Sequence, residues 1–93
     1  MSSDGRTIGI GDVATQTQHI LQTISSALAE VGCSYEDVVF NAIFLKDLAD
    51  YKAMNDVYAK FFPTNPPARY CIQAALVRPE FLVEIASTAH LPS

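Results

Sequence analysis

Residues 38–45 read Val38-Val39-Phe40-Asn41-Ala42-Ile43-Phe44-Leu45, VVFNAIFL. The run is β-branched and aromatic and almost unbroken in apolar character. A strand exposed on one face would alternate apolar with polar residues; this one reads as a strand buried in a sheet. Asn41 interrupts it, and a buried asparagine needs hydrogen-bond partners, so it is either structural or part of a site. Lys46-Asp47 ends the run.

On the N-terminal side, Ser34-Tyr35-Glu36-Asp37 supports a short helical turn. Before it, Val13, Thr17, Ile20, Leu21, Ile24, Ala27, Leu28 and Val31 recur at the spacing of a helix with one buried face. Asp12 is a good N-cap and Gly32 a natural stop, so the first helix is expected over 13–31. Residues 1–11 are rich in Gly and Ser and read as a loop, with a short extended piece over Thr7–Ile10.

On the C-terminal side, Asp47 or Asp50 caps a second helix. Its apolar face is Leu48, Tyr51, Met54, Val57, Tyr58, Phe61 and Phe62, and Pro63 ends it. The loop Pro63–Pro67 is stiff. Two strands follow, over 69–77 and 81–89, joined by a turn at Arg78-Pro79-Glu80. Read as a hairpin, they put Gln73 opposite Glu84 and Cys71 opposite Ala86. Tyr70 and Ile72 would then face the helices, with Arg69, Cys71, Gln73 and Glu84 on the other side. The order helix, strand, helix, strand, strand predicts an α+β fold with both helices on one face of the sheet, in a single domain over 1–93.

Composition narrows the function classes. A chain of 93 residues buries only about 60–65% of the surface its unfolded form exposes. Its residues are 49% apolar and 17% charged, a balance that often goes with surface hidden in an oligomer. The net charge is −4, and the six Lys and Arg are spread from Arg6 to Arg78. No basic cluster stands ready for nucleic acid. No apolar run approaches the ~18 residues of a membrane span, and the opening MSSDGRTIGIGD lacks the regions of a signal peptide. The cytoplasm is the expected compartment, with Cys33 and Cys71 as free thiols.

The polar side of the last two strands is the main constellation. A guanidinium can hold a carboxylate through two hydrogen bonds, and a carboxylate can position or deprotonate water. In the hairpin register Arg69 and Glu84 stand ~13 Å apart. Two readings therefore stay open: a solvated sheet face, or an anion site completed by a bulge, a twist or a second subunit. His19 and His90 read as surface residues and Cys33 as an inert loop residue. Cys71 is a small half-buried residue or a weak nucleophile candidate. No histidine has acid or thiol partners at metal-ligand spacing, so no metal is expected.

Several stretches together resemble a known family. They are Gln16 at the start of the first helix, Asn55-x-x-Tyr58-x-x-Phe61-Phe62, Pro67-Ala68-Arg69 and Val83-Glu84-Ile85, in that order. The pattern is similar to the RidA/YjgF reactive-intermediate (enamine/imine) deaminases. The wording of residues 69–90 lies nearest the RutC branch, linked with pyrimidine breakdown and removal of 3-aminoacrylate. The resemblance covers residues 4–91. It implies a chorismate-mutase-like fold, a homotrimer with sites between subunits, a small enamine or imine carboxylate as substrate, and no cofactor. By the same resemblance Arg69 would grip the substrate carboxylate and Glu84 would hold or activate the hydrolytic water. Cys71 would line the pocket, and Asn55 would support it. Members of the family carry roughly 35 further residues before the first helix, so the expectation is a domain without their first strands. A carboxylate-binding trimer without turnover, or an inactive shortened subunit, are the alternatives.

Overall fold

In a computed structural model that describes Gly9, residues 11–63 and residues 66–90, β1 (Val38–Leu45) is the middle strand of a three-stranded sheet. Its apolar sequence is explained by that place, with a strand on either side and helices against one face. The other elements are α1 (Val13–Glu30), α2 (Tyr51–Phe61), β2 (Ala68–Gln73) and β3 (Val83–Ala89). Short 3-10 turns at Tyr35–Asp37 and Leu48–Asp50 lead into β1 and α2. The α+β class and the two helices over a sheet are as expected. Within 7–10 only Gly9 is described, so the extended piece expected there lies outside the described residues. So do Thr64 and Asn65 of the proline-rich loop.

The last two strands do not form a hairpin. β2 runs parallel to β1 and β3 antiparallel to it, so β1 separates them. The reason lies in the connections. The chain returns from β1 through α2, which brings β2 back in the same direction. The segment after β2 is then pinned across the end of β1. The Ala74 N–H donates to the Leu45 carbonyl (3.0 Å), the Lys46 N–H to the Leu82 carbonyl (3.0 Å), and Lys46 Nζ to the Pro79 carbonyl (2.6 Å). β1 ends at Leu45, so β2 has no partner past Gln73 and stops short of the expected residue 77.

This register also reverses the expected faces of β2. Asn41 pairs with Arg69, Ile43 with Cys71 and Leu45 with Gln73. Asn41, Ile43 and Leu45 are fully buried on the helix side, so Arg69 and Cys71 stand on that side too. Tyr70 and Ile72 face the other way and remain 47% and 46% exposed. Gln73 is not opposite Glu84, nor Cys71 opposite Ala86; Glu84 pairs with Phe44 and Ala86 with Ala42.

The core lies between the sheet and the helices. Leu21 of α1, Ile43 and Leu45 of β1 and Met54 of α2 are wholly excluded from solvent, with Val83, Tyr58 and Phe62 around them. Each such side chain contributes about 1.5–3 kcal/mol of burial. Asp12 caps α1 by accepting from the Thr15 N–H (3.2 Å) and hydroxyl (2.8 Å). Gly32 takes the positive φ of 77° that lets the chain turn after Val31. Gln16, 5% exposed, ties three segments together. Its amide donates to the Gly9 and Glu80 carbonyls (3.1 and 2.9 Å), and its Oε1 accepts from the Leu82 N–H (2.8 Å). Among the described residues no helix is long and apolar enough to cross a membrane.

Candidate active site

Arg69 is the side chain around which a site is built. It enters on β2 beside Asn41, pointing toward α2, and is half-buried. Its Cζ lies 4.6 Å from the ring centroid of Tyr58 and 5.7 Å from that of Tyr51. Nη2 donates to the Tyr51 hydroxyl at 2.8 Å. Nη1 is buried and has no acceptor among the described residues. A buried donor left unmet is costly. A guanidinium held against two rings, with one nitrogen committed and the other a buried, unmet donor, has hydrogen-bonding capacity left for an anion.

Below it lies a polar chain, buried at Asn41 and Tyr58 and half-buried at Ser87. The Ser87 hydroxyl donates to Asn41 Oδ1, and Asn41 Nδ2 donates to the Tyr58 hydroxyl at 2.9 Å. Three elements, β3, β1 and α2, thus meet under the guanidinium. Asn41 was visible in the sequence as a break in an apolar run. Tyr58 stands in the sequence only as part of the family pattern, and nothing local marks Tyr51 or Ser87 as site residues. Both tyrosines read from the sequence as part of the apolar face of α2, and only their i, i+7 spacing puts them on one side of that helix.

The other candidates divide. Cys71 stands two residues along the same face as Arg69 and packs partly into the core. Burial pushes its thiol pKa up, and the Arg69 charge pulls it back in part. The thiol is therefore protonated at neutral pH, which suits lining a pocket better than attacking a substrate. Asn55 is half-buried on α2, next to Met54, and no hydrogen bond joins it to Arg69. Glu84 is not near Arg69. It pairs with Phe44 on the opposite face of the sheet, with β1 between it and β2. Two strand spacings across and three residues along make about 14 Å between the Cα atoms. Within one chain the arginine and the glutamate cannot touch one small molecule.

The open face of the sheet is apolar. Tyr70 packs edge-on against Phe40 and Phe44, with centroids 5.5 and 6.1 Å apart. Ala42 is buried beneath these rings, and Ile72 continues the surface.

The fold agrees with comparisons to known proteins. The sequence profile described as Endoribonuclease L-PSP matches residues 1–91, and the chain belongs to this family, the YjgF/RidA proteins. It is 55% identical over 84 residues to the 3-aminoacrylate deaminase RutC of Acinetobacter baylyi, a match covering 90% of this chain and 67% of that protein. A YjgF-family structure from Neisseria meningitidis superposes with a TM-score of 0.84 at 39% identity, over 87% of this chain and 69% of that one. Another from Mycobacterium tuberculosis gives 0.82 at 32% identity, over 85% and 68%.

Proposed function

We propose that this protein hydrolyses small, reactive enamine or imine carboxylates of the aminoacrylate type, 3-aminoacrylate foremost, releasing ammonia. The observation that carries this reading is Arg69, with Nη1 buried and without an acceptor beside a guanidinium already seated on two tyrosine rings. The 55% identity to a protein named as a 3-aminoacrylate deaminase supports the choice of substrate. The chemistry needs little more than a grip and a water. An enamine takes a proton on carbon to become the imine, and water adds to the C=N carbon. The carbinolamine then collapses to a carbonyl and ammonia, so one water is consumed and no redox partner is needed. Arg69 holds the carboxylate. Glu84 holds the water and accepts its proton, which leaves with the departing nitrogen. Cys71 lines the pocket on the Arg69 side, and Asn55 supports it from α2.

Because Arg69 and Glu84 lie on opposite faces of one sheet, the reading takes them from different copies in a homotrimer. The uncovered apolar face supports such an assembly. The word endoribonuclease in the family description finds no support in a net charge of −4 and scattered cations. Two free thiols fit a reducing compartment, the cytoplasm. The test is ammonia release from 3-aminoacrylate generated in situ. Arg69→Ala and Glu84→Ala should each lower the rate at least about 100-fold, the scale of one lost catalytic group. Rates equal to wild type would overturn the assignment. Carboxylate binding retained in Glu84→Ala without any wild-type turnover would leave only the anion-holding role.

A further inference from the structure

We propose that Tyr58 is a positioning residue for Arg69. Its ring carries the guanidinium, and the Ser87–Asn41 pair fixes where that ring stands. The proposal rests on Arg69 being the carboxylate grip.

Tyr58 is 3% exposed and is held from two directions. Its hydroxyl accepts from Asn41 Nδ2, whose own Oδ1 accepts from Ser87. Its ring leans on Phe62, with centroids 4.7 Å apart and planes tilted by 34°. The guanidinium sits 4.6 Å from the centroid of this fixed ring, against 5.7 Å for the more exposed Tyr51. Tyr51 engages Nη2, so the two tyrosines divide the work. One bears the flat cation, and the other occupies one end of it. The nitrogen left over, Nη1, is buried with no acceptor among the described residues and is the donor left for a carboxylate. An arginine on a flexible stem would lose this aim without a rigid surface under it. The polar chain runs from half-buried Ser87 through buried Asn41 to Tyr58 and ends under the cation. That makes it the setting for the ring rather than core filling alone.

The experiment measures propionate binding by calorimetry, together with KM and kcat for ammonia release. Tyr58→Leu should weaken propionate binding and raise KM about tenfold, the scale of a partly desolvated cation–ring contact. kcat should stay nearly unchanged, because the carboxylate is held alike before and during reaction. Tyr58→Phe keeps the ring face but loses the tie to Asn41, so binding should weaken only about two- to threefold, no less than in Ser87→Ala and well short of Tyr58→Leu, even as the melting temperature falls. In an Arg69→Ala background Tyr58→Leu should add no further loss, since the coupled partner is gone. If Tyr58→Leu fails to fold, Ser87→Ala carries the test: a two- to threefold rise in KM, roughly, that disappears without Arg69. Tyr58→Phe weakening binding as much as Tyr58→Leu, or equal losses with and without Arg69, would reduce Tyr58 to a structural residue. Weak binding in Arg69→Ala with normal binding in Tyr58→Leu would overturn the positioning role alone. Normal binding in Arg69→Ala would overturn the grip and the positioning role together.

Discussion

Asn41 is wholly buried in the middle of β1, and its amide is used at both ends, toward Tyr58 and toward Ser87. Its contribution is mainly that it leaves no neighbour unmet. Asn41→Leu, close in volume, should cost about 1–3 kcal/mol, because the buried Tyr58 hydroxyl and the half-buried Ser87 hydroxyl then lose their partner. Removing all three polar ends at once, in Asn41→Leu with Ser87→Ala and Tyr58→Phe, should recover most of that loss, since an apolar set of the same shape strands nothing. Urea melts of the single and triple variants check this. A triple variant no more stable than Asn41→Leu alone would contradict it. Cys71 shows the same dependence on surroundings. The sequence marks it as a thiol near an arginine, but only its depth decides the direction: burial raises its pKa more than the Arg69 charge lowers it.

At the scale of elements, α1 was readable because its ends are local. Asp12 and Gly32 each act within a few residues, and the helix runs from Val13 to Glu30. The Asp12 carboxylate is pulled below its ordinary value of 3.8, first by the Thr15 N–H and then by the Thr15 hydroxyl. A carboxyl lowered on folding stabilises the fold above its unfolded pKa, and that gain is lost as pH falls through the folded value. The advantage of wild type over Asp12→Ala in melting temperature should thus be level above about pH 5 and narrow below the ordinary value. Asp12→Asn, which keeps an acceptor, should show no such narrowing; thermal melts across the acid range would reveal it. β1 was readable for a different reason, its almost unbroken apolar run. The pairing of β2 and β3 was not. Pro79 between two apolar stretches looks like a hairpin turn, yet the segment is held across the end of β1 by Lys46 and by the buried amide of Gln16. Those bonds join residues far apart in sequence, and no local pattern announces them. Without β1 as its partner, nothing in the sequence of β2 fixes which side faces the helices. One step of register sends Arg69 and Tyr70 to opposite faces. Arg69 and Cys71 were therefore legible as a pair on one side of a strand, while the side itself, and Tyr58 beneath Arg69, were not.

At the scale of the whole molecule, the sheet has a helix-covered face carrying Arg69 and an open face carrying Glu84. The open face is lined by Phe40, Phe44, Tyr70 and Ile72, and Tyr70 and Ile72 remain nearly half exposed. Apolar rings left uncovered on a small domain favour a partner surface, and a second copy brings its own Glu84 with it. If each pocket takes Arg69 from one copy and Glu84 from another, two inactive variants can repair each other. Arg69→Ala and Glu84→Ala chains, unfolded together in equal amounts and refolded, should regain about a quarter of wild-type activity. In a closed ring that is the chance that a given interface receives one intact residue from each side. Each variant refolded alone should stay inactive. Adding Ile72→Glu to both chains puts a charge on the open face and should abolish the rescue as the sedimenting species shrinks toward the monomer. No rescue from a mixture that still sediments as an oligomer would mean that both groups come from one chain. The sheet would then have to twist Glu84 around its edge toward Arg69, and the opposite-face geometry would not describe the working site.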